Sequence, residues 1–287
     1  MSYHLIKVVA VLSFVVSTNS YASEAVRIGF VPSRTSNTVS VSTKELVNYL
    51  SSKTGYRVTA TTLSNYSSLA IAMKTERVDL AFVGPINYLL IMNITDVDIL
   101  SASVRYGKKG YRGLLIVKSD SDIHKISDLK GKSIALGDRL SASGSLYPKS
   151  IFKENNIDLK EDLRAVHISN PTSIVMSVYK GKVDAGAIFQ DARLNKDLKY
   201  IAPDVMSKTR VIYTTSVIPA DLQIIRSNVP DEIKSSLKKA LLDASKDPYS
   251  SQWLYELYGI ESLEPAFPEE YEKLKAVMKH VEPEIFK

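Results

Sequence analysis

Short apolar runs alternate with amphipathic stretches along the first third of the chain, and this alternation restricts the fold more than any other feature. The apolar runs lie at residues 26–31, 58–63 and 78–83. The stretch after the first run has apolar residues at helical spacing and begins with a capping box of Ser42 and Glu45. Parallel strands need helical crossovers, which cover both faces of the sheet. The sequence therefore predicts an α/β fold with parallel sheets.

A second domain of similar design is predicted from a repeated pattern. The pair Val78-Asp79 follows an amphipathic stretch and begins an apolar run, and Val183-Asp184 does the same. Strand-like runs at 111–117 and 210–217 are expected to cross between the two domains as a two-strand hinge.

These crossings set the predicted domain boundaries. Lobe 1 is expected to comprise residues 23–117 and 211–287, and lobe 2 residues 118–210. Helices that begin near Pro230, Pro248 and Pro268 are expected to pack on lobe 1.

The first 22 residues are predicted to be a secretory signal peptide. Lys7 supplies the positive start, residues 8–16 are apolar apart from Ser13, and Ser20-Tyr21-Ala22 has small residues at the two positions that a signal peptidase recognises. Cleavage after Ala22 would leave about 265 residues, enough for two medium-sized domains. The alternative, a buried N-terminal helix, is disfavoured by the abrupt end of the apolar run.

The sequence contains no cysteine, which excludes disulfides, thiolate metal sites, a cysteine nucleophile and a lipid-modified N-terminal cysteine. The mature protein is therefore expected to be free in the periplasm and not lipid-anchored. The net charge of the whole chain is +6, of which Lys7 contributes one unit. A modest positive charge helps to attract anions, but the Lys and Arg residues are dispersed, so nucleic acid is not an expected partner.

Sequence signatures of the common enzyme classes are absent. The four histidines are far apart, and the chain has no H-E-x-x-H, no G-x-S-x-G and no phosphate-binding P-loop. A binding protein is therefore a better interpretation than an enzyme.

A loop of small polar residues follows the apolar run at 133–137. It has the sequence Ser141-Ala142-Ser143-Gly144 and precedes a stretch, residues 145–155, that is predicted to be helical. A helix start offers free backbone N–H groups and the positive end of the helix dipole, and small side chains let an anion approach them. The loop indicates an anion site formed without a metal. The alternative is an ordinary helix N-cap and turn.

This loop, together with residues 129–135 before it and Pro148 after it, resembles a motif of the periplasmic phosphonate/phosphite/phosphate-binding proteins of ABC transporters. Four further segments are similar to that family, so the resemblance covers most of the mature chain: residues 65–68, 78–85, 181–185 and 217–221. It implies a type II periplasmic-binding-protein fold whose two lobes close on a small phosphorus oxyanion. It also implies a monomer that delivers the ligand to a transporter permease, with no cofactor and no metal.

The resemblance implies a ligand site divided between the lobes. Ser141, Ser143 and Gly144, with the amide of Ala142, would hold the oxyanion from lobe 2. Tyr66 would donate its phenolic O–H from lobe 1.

Two carboxylates extend the implied site. Asp221 corresponds to a family carboxylate at the cleft, and Asp191 lies where aminophosphonate binders carry a second one. Such a pair would bind an ammonium group through charge-assisted hydrogen bonds, whereas a carboxylate near an oxyanion requires a ligand proton between them. The alternative for Asp191 is a helix N-cap.

The implied pocket departs from the family at three positions. Pro171 stands where several relatives carry a histidine, and Thr172 beside it is a candidate replacement donor. Val83 stands where some relatives place a tyrosine, and Tyr88 is its candidate replacement, with core packing as the alternative. Ser145 occupies a position that is often aromatic.

Two further hypotheses remain open at the level of sequence. One is a periplasmic sensory module of the same fold that signals to a membrane histidine kinase or chemoreceptor. The other is a phosphate-specific protein, in which Asp191 would meet no ammonium group.

Overall fold

The computed structural model describes residues 25–31, 36–195 and 198–286. They form two α/β lobes, each built on its own sheet, so the predicted fold class is confirmed. The predicted signal peptide lies outside the described residues. Within those ranges, no helix has the length and apolar character needed to span a membrane.

Eleven strands are present in the described residues. In chain order they are β1 (Val26–Phe30), β2 (Val58–Thr62), β3 (Leu80–Val83), β4 (Val97–Val104), β5 (Gly113–Lys118), β6 (Ser133–Leu136), β7 (Arg164–His167), β8 (Ala185–Phe189), β9 (Thr209–Thr214), β10 (Leu222–Arg226) and β11 (Ser262–Glu264).

Ten α-helices accompany the strands in the same part of the chain. They are α1 (Ser36–Thr54), α2 (Tyr66–Lys74), α3 (Pro85–Met92), α4 (Tyr147–Glu154), α5 (Pro171–Tyr179), α6 (Leu198–Ile201), α7 (Val205–Lys208), α8 (Asp231–Ala244), α9 (Pro248–Tyr258) and α10 (Glu272–Val281). The helix starts predicted near Pro230 and Pro248 are confirmed. Pro268 begins a short 3₁₀ turn that leads into α10.

The two sheets share one design. Their strand orders are β11-β4-β10-β3-β1-β2 and β7-β6-β8-β5-β9. Three neighbouring strands are parallel in each sheet, whereas the next strand, β10 or β5, is antiparallel to them. The sheets are therefore mixed and not wholly parallel as predicted. The reason is that β5 and β10 arrive from the other lobe at the edge where the parallel strands end, so they must run in the opposite direction.

The predicted lobe boundaries differ from the observed sheet membership. The boundary at 117/118 falls inside β5 and the boundary at 210/211 falls inside β9. Both strands belong to the second sheet, where they pair with each other. The crossing segments are thus residues 105–112 and 215–221. They run antiparallel, as expected, and Tyr111 and Ile218 exchange two backbone hydrogen bonds of 3.0 and 2.7 Å.

The repeated Val-Asp pattern has the same structural role in both lobes. The N–H of Arg27 on β1 donates to Asp79 Oδ2 at 2.8 Å, and the N–H of Ser133 on β6 donates to Asp184 Oδ2 at 2.7 Å. Each aspartate therefore ties the start of its own strand to the neighbouring parallel strand, and the expectation of two lobes of like design is confirmed.

Helix α10 connects the lobes away from the hinge. Its residues Leu274 and Met278 are fully buried in a core cluster that also contains Leu146 and Tyr147 of lobe 2. Lys149 on α4 forms an ion pair with Glu282 just after α10. The lobes are thus joined by two crossing segments and by this helix contact.

Candidate functional site

The predicted anion loop forms the N-terminal end of a helical segment. Ser141 is the N-cap of a π-helical turn, Ala142–Leu146, which continues into α4. Its Oγ accepts a hydrogen bond of 3.0 Å from the Gly144 N–H. The N-cap and turn alternative is therefore correct for the side chain of Ser141, and the turn places further backbone amides at a helix start.

The loop depends on two glycines that lie against each other. The Gly137 N–H donates to the Gly144 carbonyl at 2.7 Å. A Cβ on Gly144 would lie 2.9 Å from Ser141 Oγ and 3.0 Å from Gly137 Cα. Only glycine fits at this position, because the backbones of the strand end and the loop approach so closely.

Ser143 contacts the hinge. Its hydroxyl lies near the phenol of Tyr111, which belongs to a crossing segment. A Cβ on Gly113 would lie 3.2 Å from the Ser143 Cβ, so a glycine at the start of β5 leaves space for this contact. The pKa of Tyr111 is raised by burial and, secondarily, by the charge of Asp221.

Tyr66 lies at the start of α2, where Asn65 and Ser68 form a reciprocal capping box. Burial and then the charges of Asp221 and Asp138 raise the pKa of Tyr66 to about 12. The phenol therefore keeps its proton, and can act as a hydrogen-bond donor, throughout the physiological pH range. Asp138 follows β6 in lobe 2, so carboxylates outside lobe 1 also raise the pKa of Tyr66.

Asp221 lies in the returning crossing segment and forms an ion pair of 2.8 Å with Arg105. The Nε–H of Arg105 also donates to the Tyr258 carbonyl at 2.9 Å. Sequence reasoning missed Arg105, whose only signal is a cation directly after the run that forms β4. It places a positive charge beside both Tyr66 and Tyr111.

A small cavity in lobe 1 lies beside this ion pair. It is lined by Tyr66, Gly84, Asp221, Tyr258 and Arg105, among others. Its floor contains Gln223, whose amide is held between Ser101 and Ser103 by hydrogen bonds of 2.7 and 3.0 Å. Lobe 1 therefore presents a polar wall of fixed orientation.

Asp191 is engaged with its own neighbours. Its side chain caps the short turn Ala192–Leu194 and forms an ion pair of 2.6 Å with Arg193. Arg193 is itself buried and also donates to the Thr209 carbonyl. The N-cap alternative for Asp191 describes this geometry.

The two candidate replacement donors lie in different settings. Tyr88 is 1 % exposed and packs edge-on against Tyr271, which is the core-packing alternative for this residue. Burial raises the pKa of Tyr88 to about 12. Thr172 Oγ1 accepts a hydrogen bond of 3.1 Å from Asn195, on the exposed side of α5.

The three positions that depart from the family pattern lie in different settings. Val83 is buried at the end of β3, where it also lines the small cavity of lobe 1, and Pro171 is the first residue of α5. Ser145 is fully buried, and its Oγ has no hydrogen-bond partner among the described residues. His167 Nδ1 lies 2.8 Å from the Gly137 carbonyl. No group of three or more His, Asp or Glu residues in the described ranges could hold a metal ion.

These features define a class of protein: two α/β lobes of like design, joined by a hinge, with a loop of small residues at a helix start on one lobe and a small cavity with polar residues on the other. Residues 28–271 match the family model described as the periplasmic substrate-binding protein of phosphonate ABC transporters. The chain belongs to this family, which is a solute-binding component of a transporter and not an enzyme. Its members act in the periplasm with a permease partner.

Sequence relatives agree with this assignment. The phosphonates-binding periplasmic protein of Escherichia coli strain K12 is 26% identical over 78% of this chain and 68% of its own length. The phosphate-import protein PhnD of Mycolicibacterium smegmatis is also 26% identical, over 61% of this chain and 58% of its own length.

Solved structures show the same fold. A Xanthomonas citri protein bound to ATP has a TM-score of 0.79 at 20% identity and covers 91% of this chain and 99% of its own. The Prochlorococcus marinus protein PhnD1 in complex with methylphosphonate has a TM-score of 0.74 at 16% identity, covering 90% and 98%. None of these comparisons supports the sensory alternative.

Proposed function

We propose that this protein captures a small phosphorus oxyanion that lacks an ammonium group, such as phosphate, phosphite or methylphosphonate. The oxyanion lies against the N–H groups of Ala142 and Ser143 and the hydroxyls of Ser141 and Ser143, and Tyr66 and Arg105 close the site from lobe 1. The observation that carries this proposal is the ion pair of Arg105 and Asp221 beside Tyr66.

Charge balance supports the absence of an ammonium group. Asp221 is already compensated by Arg105, and Asp191 by Arg193. A ligand ammonium would have to replace one of these partners, and leaving a charge without its partner is costly. An oxyanion can instead share Arg105 with Asp221, with a ligand proton directed at the carboxylate.

Two relatives are consistent with this ligand class. One relative is called a phosphate-import protein and another was solved with methylphosphonate.

The mature chain acts as a monomer after cleavage behind Ala22 and is not lipid-anchored.

The test is thermal unfolding of the purified protein with phosphate, phosphite, methylphosphonate, 2-aminoethylphosphonate and sulfate. A ligand at roughly a hundred times its dissociation constant adds about 2.7 kcal/mol, which raises the melting temperature by a few degrees. We expect a rise with one of the first three. A rise with 2-aminoethylphosphonate alone would contradict the proposal, as would no rise with any phosphorus oxyanion.

Two substitutions with opposite expected effects sharpen this test. Arg105→Gln removes the cation and should weaken oxyanion binding roughly tenfold or more. Asp221→Asn removes the negative charge that competes for Arg105 but keeps an oxygen that can accept the ligand proton, so binding should be unchanged or tighter. Loss of binding in Asp221→Asn equal to that in Arg105→Gln would show that the carboxylate itself holds the ligand. Isothermal titration calorimetry gives both affinities.

A further inference from the structure

Lobe 2 carries a basic groove outside the cleft, which is a candidate for a second anion-binding site. A groove of about 620 Å³ lies along the edge strand β7 and the side of α4. Its volume is in the range of small-molecule sites. The rest of its lining is apolar, but five lining residues are basic: Arg139, Lys149, Lys160, Arg164 and His167.

The groove has an excess of positive charge. None of its lining residues is acidic. Lys149 is paired with Glu282, and Arg164 lies 3.9 Å from Asp184 and donates to the Gly131 carbonyl at 2.9 Å. Lys160 lies near Asp158, whose pKa it helps to lower, and Arg139 makes no ion pair within the described part of the chain. The four cationic side chains of the lining therefore face three carboxylates, which leaves a positive charge that a bound anion would balance.

The basic residues are too widely spaced for one small anion. Lys160 lies before the start of β7 and His167 at its end, and at the rise of a strand the two ends of β7 are about 10 Å apart. A single phosphate cannot contact both ends, whereas an anion with linked phosphate groups can. Arginine donates to phosphate in a bidentate way, which suits Arg139 to this task.

A hydrogen-bonded chain connects the groove to the anion loop. A carbonyl oxygen only accepts, so His167 Nδ1–H donates to Gly137 O at 2.8 Å, and Nε2 remains available to a ligand. The Gly137 N–H in turn donates to Gly144 O, and the Gly144 N–H donates to Ser141 Oγ. The groove is thus adjacent to the loop but uses different side chains.

We propose that this groove binds a small anion with two or more linked phosphate groups, at a site separate from the cleft. The phosphates of an anionic lipid headgroup share this chemistry. The free anion is the better fit, because the basic residues lie among the apolar lining residues Leu159, Leu163 and Ala165 and do not form a continuous basic surface.

The test uses inorganic pyrophosphate with the purified protein at about 150 mM salt, where weak surface attraction is screened. Calorimetry measures the affinity of the Arg139→Glu, Lys160→Glu double variant. Lys180 and Lys199 are exposed lysines of the same lobe that do not line the groove. The Lys180→Glu, Lys199→Glu double variant is therefore a control with the same change in net charge.

We expect the groove variant to bind pyrophosphate about tenfold or more weakly and the control to change less than about twofold. In the NMR spectrum, pyrophosphate should shift the imidazole signals of His167, assigned with His167→Gln, more than those of His124 and His280. Equal loss in both double variants, or no binding by the unmodified protein, would overturn the proposal.

Two controls separate this site from other interpretations. The groove variant should keep its response to the cleft oxyanion, and Ser143→Ala should keep its affinity for pyrophosphate, so failure of the groove proposal and of the cleft proposal are distinguishable. Binding of hexaglutamate without pyrophosphate binding would overturn the proposal in favour of a protein partner. Co-sedimentation with phosphatidylglycerol vesicles that is lost in the groove variant would overturn the free anion as the source.

Discussion

At the scale of single residues, the anion loop is defined by the close approach of two backbones and by a few hydroxyl groups. Gly137 and Gly144 lie against each other, Ser141 uses its Oγ as a cap, and Ser143 reaches Tyr111 in the hinge. Because the Gly144 and Ser141 N–H groups are engaged, the N–H groups of Ala142 and Ser143 are the remaining backbone donors of the loop. A change in loop geometry should act on ligand binding before it acts on folding.

Gly144→Ala should lower oxyanion affinity about tenfold. The added methyl group would lie 2.9 Å from Ser141 Oγ and 3.0 Å from Gly137 Cα, so the loop must move away from the end of β6. Overpacking of this kind costs about 1–3 kcal/mol. Calorimetry gives the affinity, and circular dichroism checks that the fold is retained. Unchanged affinity would mean that the loop does not contact the ligand.

Ser145→Ala should leave the protein as stable or make it more stable by up to about 1 kcal/mol. The Ser145 hydroxyl is fully buried and has no partner among the described residues, and an unsatisfied buried hydroxyl is unfavourable. Ser150→Ala is the matched control. Its Oγ is also buried but donates to Glu154 at 2.7 Å, so we expect a loss of about 1 kcal/mol. Urea unfolding that gives both variants the same loss would contradict this assignment.

At the scale of secondary-structure elements, each lobe is held by an aspartate at the start of its central strand. Asp79 accepts hydrogen bonds from the backbone and side chain of Arg27 and from Arg226 on β10. Burial alone would raise the pKa of Asp79, but these hydrogen bonds lower it below its ordinary value. Asp184 in lobe 2 has the same backbone contact but lies in a more exposed setting with Ser133.

Asp79→Asn should destabilise the protein by about 3 kcal/mol at neutral pH, because the buried Arg226 loses its buried carboxylate partner and keeps only the exposed Glu76. Asp120→Asn, at an exposed ion pair with Lys118, should cost less than about 1 kcal/mol. Urea unfolding measures both changes. Equal costs would show that the buried pair is not important for stability.

The lowered pKa of Asp79 predicts that stability depends on pH. Its pKa is lower in the folded than in the unfolded state, so its contribution to stability is complete above the unfolded value of about 3.9 and is lost as the pH falls through the folded value. The unmodified protein should therefore lose more stability below about pH 4 than Asp79→Asn does. Parallel acid unfolding curves for the two proteins would contradict this prediction.

At the scale of the whole molecule, the lobes are joined by the two crossing segments and by α10. This helix packs in the core beneath Tyr271 and shares a cluster with the lobe 2 residues Leu146 and Tyr147. Its contact with α4 limits how far the lobes separate. Closure around a ligand is expected to be a rotation about the Tyr111–Ile218 pair, with α10 as a second support.

Met278→Ala should cost about 2–5 kcal/mol, because Met278 is fully buried in α10 where the lobes meet. Val277→Ala, at a partly buried position of the same helix, should cost less. Calorimetric unfolding of Met278→Ala is the measurement. A melting temperature equal to that of the unmodified protein would show that α10 contributes little to holding the lobes together.

Local sequence determined much of this protein. The alternation of apolar and amphipathic runs, the Val-Asp pairs, the proline helix starts and the small-residue loop all act through contacts near in sequence or through strand and helix periodicity. They were sufficient to predict two α/β lobes and a loop at the start of a helical segment. The sequence also placed Tyr66 and Asp221 as candidates, and both lie beside the small cavity of lobe 1.

Only the tertiary structure decided which polar groups meet. Arg105 and Asp221 come from the two opposite crossings, and no local pattern links them. Tyr66 and Tyr88 each lie in the first turn of a helix. Tyr88 packs in the core against Tyr271, whereas Tyr66 lines the small cavity of lobe 1. Asp191 is compensated by Arg193 since the turn after β8 folds back on itself. The direction of β5 and β10 follows from the chain passing between lobes, because a strand that enters from the cleft edge runs against its neighbours.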